Sequence, residues 1–223
     1  MKVAYIFRGH SRTWYKCHEN FFKNVFSVVP GDIFIHTWDA TNSIFGSHWN
    51  GFNPLNKEQL EISNAVPNFN DIYNIYKPKV FIVESDKCKN IKNQSNLISC
   101  HLGLLHMLDG SKKICEEAIN YDNYDYIFET RLDINYTSKL DLTEFNSKNL
   151  VCPIEDGMLF DFWMFGSTDN MKIKINFFNN VKSYWYDKNP ELICYEHALE
   201  NYLKDNNLPY IKSSLQYHAP RLF

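Results

Sequence analysis

Apolar residues dominate positions 2 to 7, and Ile33-Phe34-Ile35 lie at the centre of 32 to 37, so both stretches read as short buried strands. Between them Trp14, Phe21, Phe22 and Val25 recur at helical spacing across 13–26, and Pro30-Gly31 marks the turn into the second strand. The opening unit therefore reads as strand, helix, strand. A third strand is expected over 79–84, after Tyr76-Lys77-Pro78, and a long helix over 95–119 with Asp109-Gly110 as an expected kink. Residues 124–129 form a fourth strand candidate with Thr130-Arg131-Leu132-Asp133 at its exit. A further strand at 162–165, helices at 168–181 and 190–205, a short strand at Tyr210-Ile211 and a tail through Tyr217-His218 complete the pattern.

Alternating strands and helices predict an α/β fold, a mostly parallel open sheet with helices on both faces and right-handed crossovers. Ligands on such sheets bind beyond the carboxyl ends of the strands. A chain of 223 residues with 44% hydrophobic content can bury one core, so the whole of 1–223 is expected to form a single domain. Residues 40–68, rich in Gly, Asn, Pro and aromatics, are too long for an ordinary connection and read as a lid or specificity insertion.

A net charge of -3 offers no basic field, which argues against nucleic acid as a partner. No stretch approaches the ~20 apolar residues of a membrane span, and Arg8 cuts the first apolar run too early for a secretory segment. Six scattered cysteines without CxxC spacing fit reduced thiols, and a cytoplasmic location is expected.

Of the 23 basic residues only four are arginines, at positions 8, 12, 131 and 221, as though Arg is kept where a planar two-pronged donor is needed. Arg8-Gly9-His10-Ser11-Arg12 leaves the first strand and opens the first helix, where backbone N–H groups can face an anion. Glu129-Thr130-Arg131-Leu132-Asp133 follows the fourth strand. Acidic groups there can hold Mg²⁺ or Mn²⁺, and Arg131 and Asp133 are expected to point to one side of an extended chain. Asp161, between Phe160 and Phe162, is suited to binding a sugar or taking a proton from an acceptor hydroxyl. His218, close to Arg221 in the tail, can complete a metal shell or close over phosphates.

Together these segments resemble a family of glycosyltransferases of bacterial capsule and lipopolysaccharide clusters and of large DNA viruses. The resemblance is carried by Asp32-Ile33-Phe34-Ile35-His36-Thr37-Trp38-Asp39, by Tyr76-Lys77-Pro78-Lys79, by Tyr124 through Asp133, and by Asp161-Phe162-Trp163-Met164-Phe165-Gly166-Ser167. It implies a GT-A-like fold and transfer of a sugar from a nucleotide-diphosphate donor, most commonly UDP-linked, to a glycan or other hydroxyl acceptor. It also implies that Phe7, Arg8, Gly9, Arg12, Arg131, Asp133 and Arg221 border the donor and that Asp133 and His218 serve a divalent cation. Asp161 and Arg131 would then be catalytic. Arg131 stands where that family's DXD-like element has its first Asp, which weakens the expectation of a metal. Two alternatives stay open: a nonenzymatic nucleotide-sugar or carbohydrate-binding module, and a sugar nucleotidyltransferase.

Overall fold

The computed structural model describes residues 1–11, 13–39, 68–85, 96–146, 148–184 and 195–219. β1 (Val3–Arg8) and β2 (Asp32–Trp38) are the first two expected strands, and they pair in parallel with Ala4 opposite Asp32. Gly31 lets the chain enter β2 against β1, since a Cβ there would stand 2.3 Å from the Val3 carbonyl oxygen. Between them α1 (Trp14–Phe21) widens into a π turn at Phe22–Phe26, where the Ser27 N–H donates to the Phe22 carbonyl at 2.9 Å.

The expected insertion at 40–68 lies outside the described residues except for Asn68. Asn68 caps α2 (Phe69–Tyr76) by accepting from the Asp71 N–H, and Lys77 ends that helix in the left-handed region at φ 46° before Pro78. β3 (Val80–Glu84) then joins β2 in parallel. α3 (Asn96–Tyr121) is continuous through Asp109 and Gly110. Its glycine serves close packing: a Cβ at 110 would stand 2.4 Å from His36 Cε1.

β4 (Tyr126–Arg131) inserts beside β1 and sets Arg131 opposite Arg8. After β5 (Asn135–Tyr136), β6 (Leu150–Cys152), the β7 (Ile154–Glu155) and β8 (Met158–Leu159) hairpin and β9 (Trp163–Ser167) come α4 (Thr168–Lys182), α5 (Tyr195–Asp205), β10 (Tyr210–Lys212) and β11 (Tyr217–His218). The main sheet has seven strands in the order β10-β6-β9-β4-β1-β2-β3. All of its pairings are parallel except those of β9, which runs against both β4 and β6. The reversal has a simple cause: no helix lies between β6 and β9 to make the crossover that a parallel neighbour needs.

Alternation along β1 and β4 sorts two cores. Tyr5, Phe7 and Phe128 face α1 and α2, while Ala4, Ile6 and Ile127 face α3, α4 and α5. Among the described residues no helix is long and apolar enough to cross a membrane. Cys17, Cys115 and Cys152 are buried free thiols, and burial pushes Cys17 and Cys152 up to about 12, which leaves them inert.

Candidate functional site

Because β9 runs backwards, its amino end meets the carboxyl ends of β1 and β4 at one edge of the sheet. Thr130 pairs with Trp163, so Asp161 arrives at that edge beside Arg131. The backbone turns at Leu132 and Asp133. In consequence Arg131 and Asp133 face each other: Nε donates to Oδ1 at 2.8 Å and Nη2 to Oδ2 at 2.7 Å. The Arg131 guanidinium also lies 5.3 Å over the Phe162 ring. Its Nη1 has no partner among the described residues, and its side chain is 17% exposed, so the free end of the fork remains open to an anion.

Arg8, expected at the donor, instead points into the protein. Its Nε donates to Glu129 Oε1 at 2.6 Å, and its Nη2 donates to both the carbonyl oxygen and, at 3.1 Å, the carboxylate of Asp161. Glu129 is likewise drawn inward, accepting from Ser111 Oγ at 2.6 Å and from Lys174 Nζ. Burial alone would push the Glu129 carboxyl up, but the charges of Lys174 and Arg8 outweigh it and hold the group down at about 2. The result is a row of alternating charge, Lys174, Glu129, Arg8, Asp161, of which the first three are at most 2% exposed.

Phe7 is also interior, its ring 4.8 Å from Phe21 and 4.9 Å from Tyr76. Among the described residues, the first loop therefore offers a ligand its backbone and Ser11 rather than Phe7 or Arg8. Gly9 takes φ 97°, and a Cβ there would meet nothing within 4 Å, so its role is conformational. His10 packs at 4.8 Å on Trp38. Buried polar atoms without a hydrogen-bond partner among the described residues gather nearby: Ser11 Oγ just past β1, Thr37 Oγ1 near the end of β2 and Trp163 Nε1 at the start of β9. Such atoms are rare in native interiors, and here they stand where α/β sheets take ligands. The Tyr195 hydroxyl is also without a partner among the described residues, close enough to Asp161, Arg8 and Glu129 to feel their charges.

His218 is exposed on β11, which pairs with β5 and sets His218 opposite Asn135, two residues beyond Asp133. The tail thus returns to the neighbourhood of Asp133. Among the described residues no three His, Cys, Asp or Glu gather closely enough to hold a metal ion, and both Asp133 oxygens already accept from Arg131. A preformed metal centre does not fit this arrangement. Arg12 and Arg221 lie outside the described residues.

Lys174 and Ser111 were not foreseen in the site. The signal for Lys174 was a charge in phase with Met171 and Ile175 on the apolar side of a helix; for Glu129 it was a charge inside an otherwise buried strand. No model of a known protein family matches the chain, and no curated protein matches it.

Proposed function

We propose that the chain is a glycosyltransferase that moves a sugar from a nucleotide-diphosphate donor, UDP-linked by preference, to a hydroxyl acceptor such as a glycan. One observation carries the reading: the half-free guanidinium of Arg131, with Asp133 and Asp161 on either side, at the carboxyl edge of the parallel strands. A planar cation with an open prong suits a diphosphate, and a carboxylate one strand away suits the acceptor hydroxyl or the sugar. The 3-2-1-4 run of strands with a reversed neighbour beside β4 supports a GT-A-like arrangement. Catalysis would consist of positioning and of stabilising the departing diphosphate. A divalent ion, Mn²⁺ or Mg²⁺, would enter only with the donor, whose own oxygens supply the ligands that Asp133 and His218 lack.

The test is thermal unfolding of the purified protein with a panel of nucleotide-sugars, with and without Mn²⁺, followed by a transfer assay. Donor at 100 times Kd adds about 2.7 kcal/mol, a rise in Tm of roughly 5–10 °C for a chain of this size. Arg131→Lys should weaken that donor at least ~10-fold, because the charge stays but the fork is lost. No rise with any nucleotide-sugar would sink the reading. The engagement of both Asp133 oxygens by Arg131 favours a second reading, a binding module without transfer. Saturable nucleotide binding with neither hydrolysis nor transfer would select it.

A further inference from the structure

Among the described residues, the charge row beneath the edge has more members than neutrality requires. Arg8 and Asp161 would balance each other alone; Glu129 adds a charge, and Lys174 is then needed to balance Glu129. Burying two extra ions is costly unless they do something geometric. What they do is visible in the bonds. Arg8 is gripped at Nε by Glu129, so its guanidinium plane is fixed before Nη2 reaches Asp161. Glu129 is itself held on one oxygen by Ser111 of α3 and on the other by Lys174 of α4. Arg8 takes hold of Asp161 by backbone and side chain together. Close to Asp161 the segment is also tied by the Leu159 N–H, which donates to Glu200 Oε1 at 3.1 Å, and by the Phe160 N–H, which donates to the Pro153 carbonyl at 3.0 Å.

We infer that Glu129 and Lys174 are positioning residues that fix Asp161 at the sheet edge through Arg8, linking the helices behind the sheet to the loop in front of it. Outer groups of this kind orient an inner one without touching a ligand. The catalytic consequence, though not the mechanical one, rests on the transferase reading above.

The decisive variant removes one charge of each sign. Glu129→Gln with Lys174→Met leaves the Arg8–Asp161 pair neutral, so a network that served neutrality alone would lose nothing at Asp161. If the row positions Asp161, amide hydrogen exchange at Asp161 and Phe162 should quicken at least ~10-fold while the centre of β4 keeps its protection, a local rather than a global opening. With a nucleotide-sugar, kcat should fall at least ~30-fold and the donor KM stay within ~3-fold, the pattern of a misplaced catalytic group. Lys174→Met alone, which keeps Glu129 on Arg8, provides a milder version should the double variant fail to fold, with exchange about 3-fold faster. Unchanged exchange at Asp161 and Phe162 overturns the inference. Faster exchange with unchanged kcat upholds the tie and overturns its catalytic role. Absence of turnover in the wild type sinks the transferase reading instead, and the exchange rates still decide whether the row holds Asp161.

Discussion

On the side covered by α1 and α2 the sheet buries rings: Phe128 stacks 5.1 Å from Phe165 and 5.7 Å from Trp163, and Tyr5 meets Phe21 edge-on at 5.4 Å. On the side covered by α3, α4 and α5 the sheet itself buries mainly aliphatic chains beside Phe34 and, towards the edge, Arg8 and Glu129 with Lys174 of α4. The two faces differ in how they tolerate loss. A ring among rings gives up its own contacts when trimmed and leaves its neighbours apolar and content. A buried ion leaves its partner charged and unpaired. The chain places the demanding face directly behind its candidate site and the forgiving one away from it.

The sharpest way to break this comparison is at two successive residues of β4. Glu129→Leu leaves Lys174 buried without its carboxylate and releases Nε of Arg8, and should cost about 3–5 kcal/mol. Phe128→Leu, one residue earlier on the opposite face, should cost about 1.5 kcal/mol. Denaturant unfolding of both variants checks the pair, and equal losses would remove the distinction between the faces.

Acid should separate the faces next. Glu129 is held at about 2 against an ordinary 4.5, a depressed carboxyl, so its contribution is complete above pH 4.5 and disappears as pH falls towards 2. The loss amounts to about 3 kcal/mol over that window, taken to order of magnitude. Unfolding free energies at pH 5, 4 and 3 should therefore fall steeply in wild type and less steeply in Glu129→Gln. Parallel curves would mean that other carboxylates dominate acid unfolding.

The smallest effect concerns steric fit. Gly110→Ala gains helix propensity of about 1 kcal/mol but drives a methyl into the His36 ring, whose Nδ1 lies 2.6 Å from the new carbon. His36 is fully buried and bonded through Nε2 to Glu84 at 3.1 Å, so it cannot step aside freely. Overpacking should win, with a net loss of about 1 kcal/mol. A gain in stability measured by thermal unfolding would show that the ring moves.

The parallel core was legible because its strands announce themselves: 2–7, 32–37, 79–84 and 124–129 fall within two residues of β1, β2, β3 and β4. Composition and flanking turns decide such strands locally. The direction of β9 was not legible, because nothing in Trp163-Met164-Phe165 says which way its neighbour runs. At the site, the edge location of Arg131, Asp133 and Asp161 followed from their places at strand ends. The inward turn of Arg8 did not. Alternation puts Arg8 on the face of Ala4 and Ile6, but whether its long side chain runs inward or out past the strand end depends on Glu129, 121 residues away. Lys174 was hidden for a related reason: a lysine in a helix reads as solvated unless its counterion is known.

Those separations also bear on how the protein is made. Arg8 precedes Asp161 by 153 residues, and at translation speeds of ~5–20 residues per second it is made roughly 8–30 s before Asp161. Lys174 follows 45 residues behind Glu129. A nascent chain halted after Arg131 and before Thr168 has the β1 and β4 sequences and both members of the Arg8–Glu129 pair, but lacks the cation that completes the row. It also lacks the whole of α4 and α5, which cover that side of the sheet. Such a chain exposes apolar strand surface to whatever binds unfolded polypeptide at the exit port.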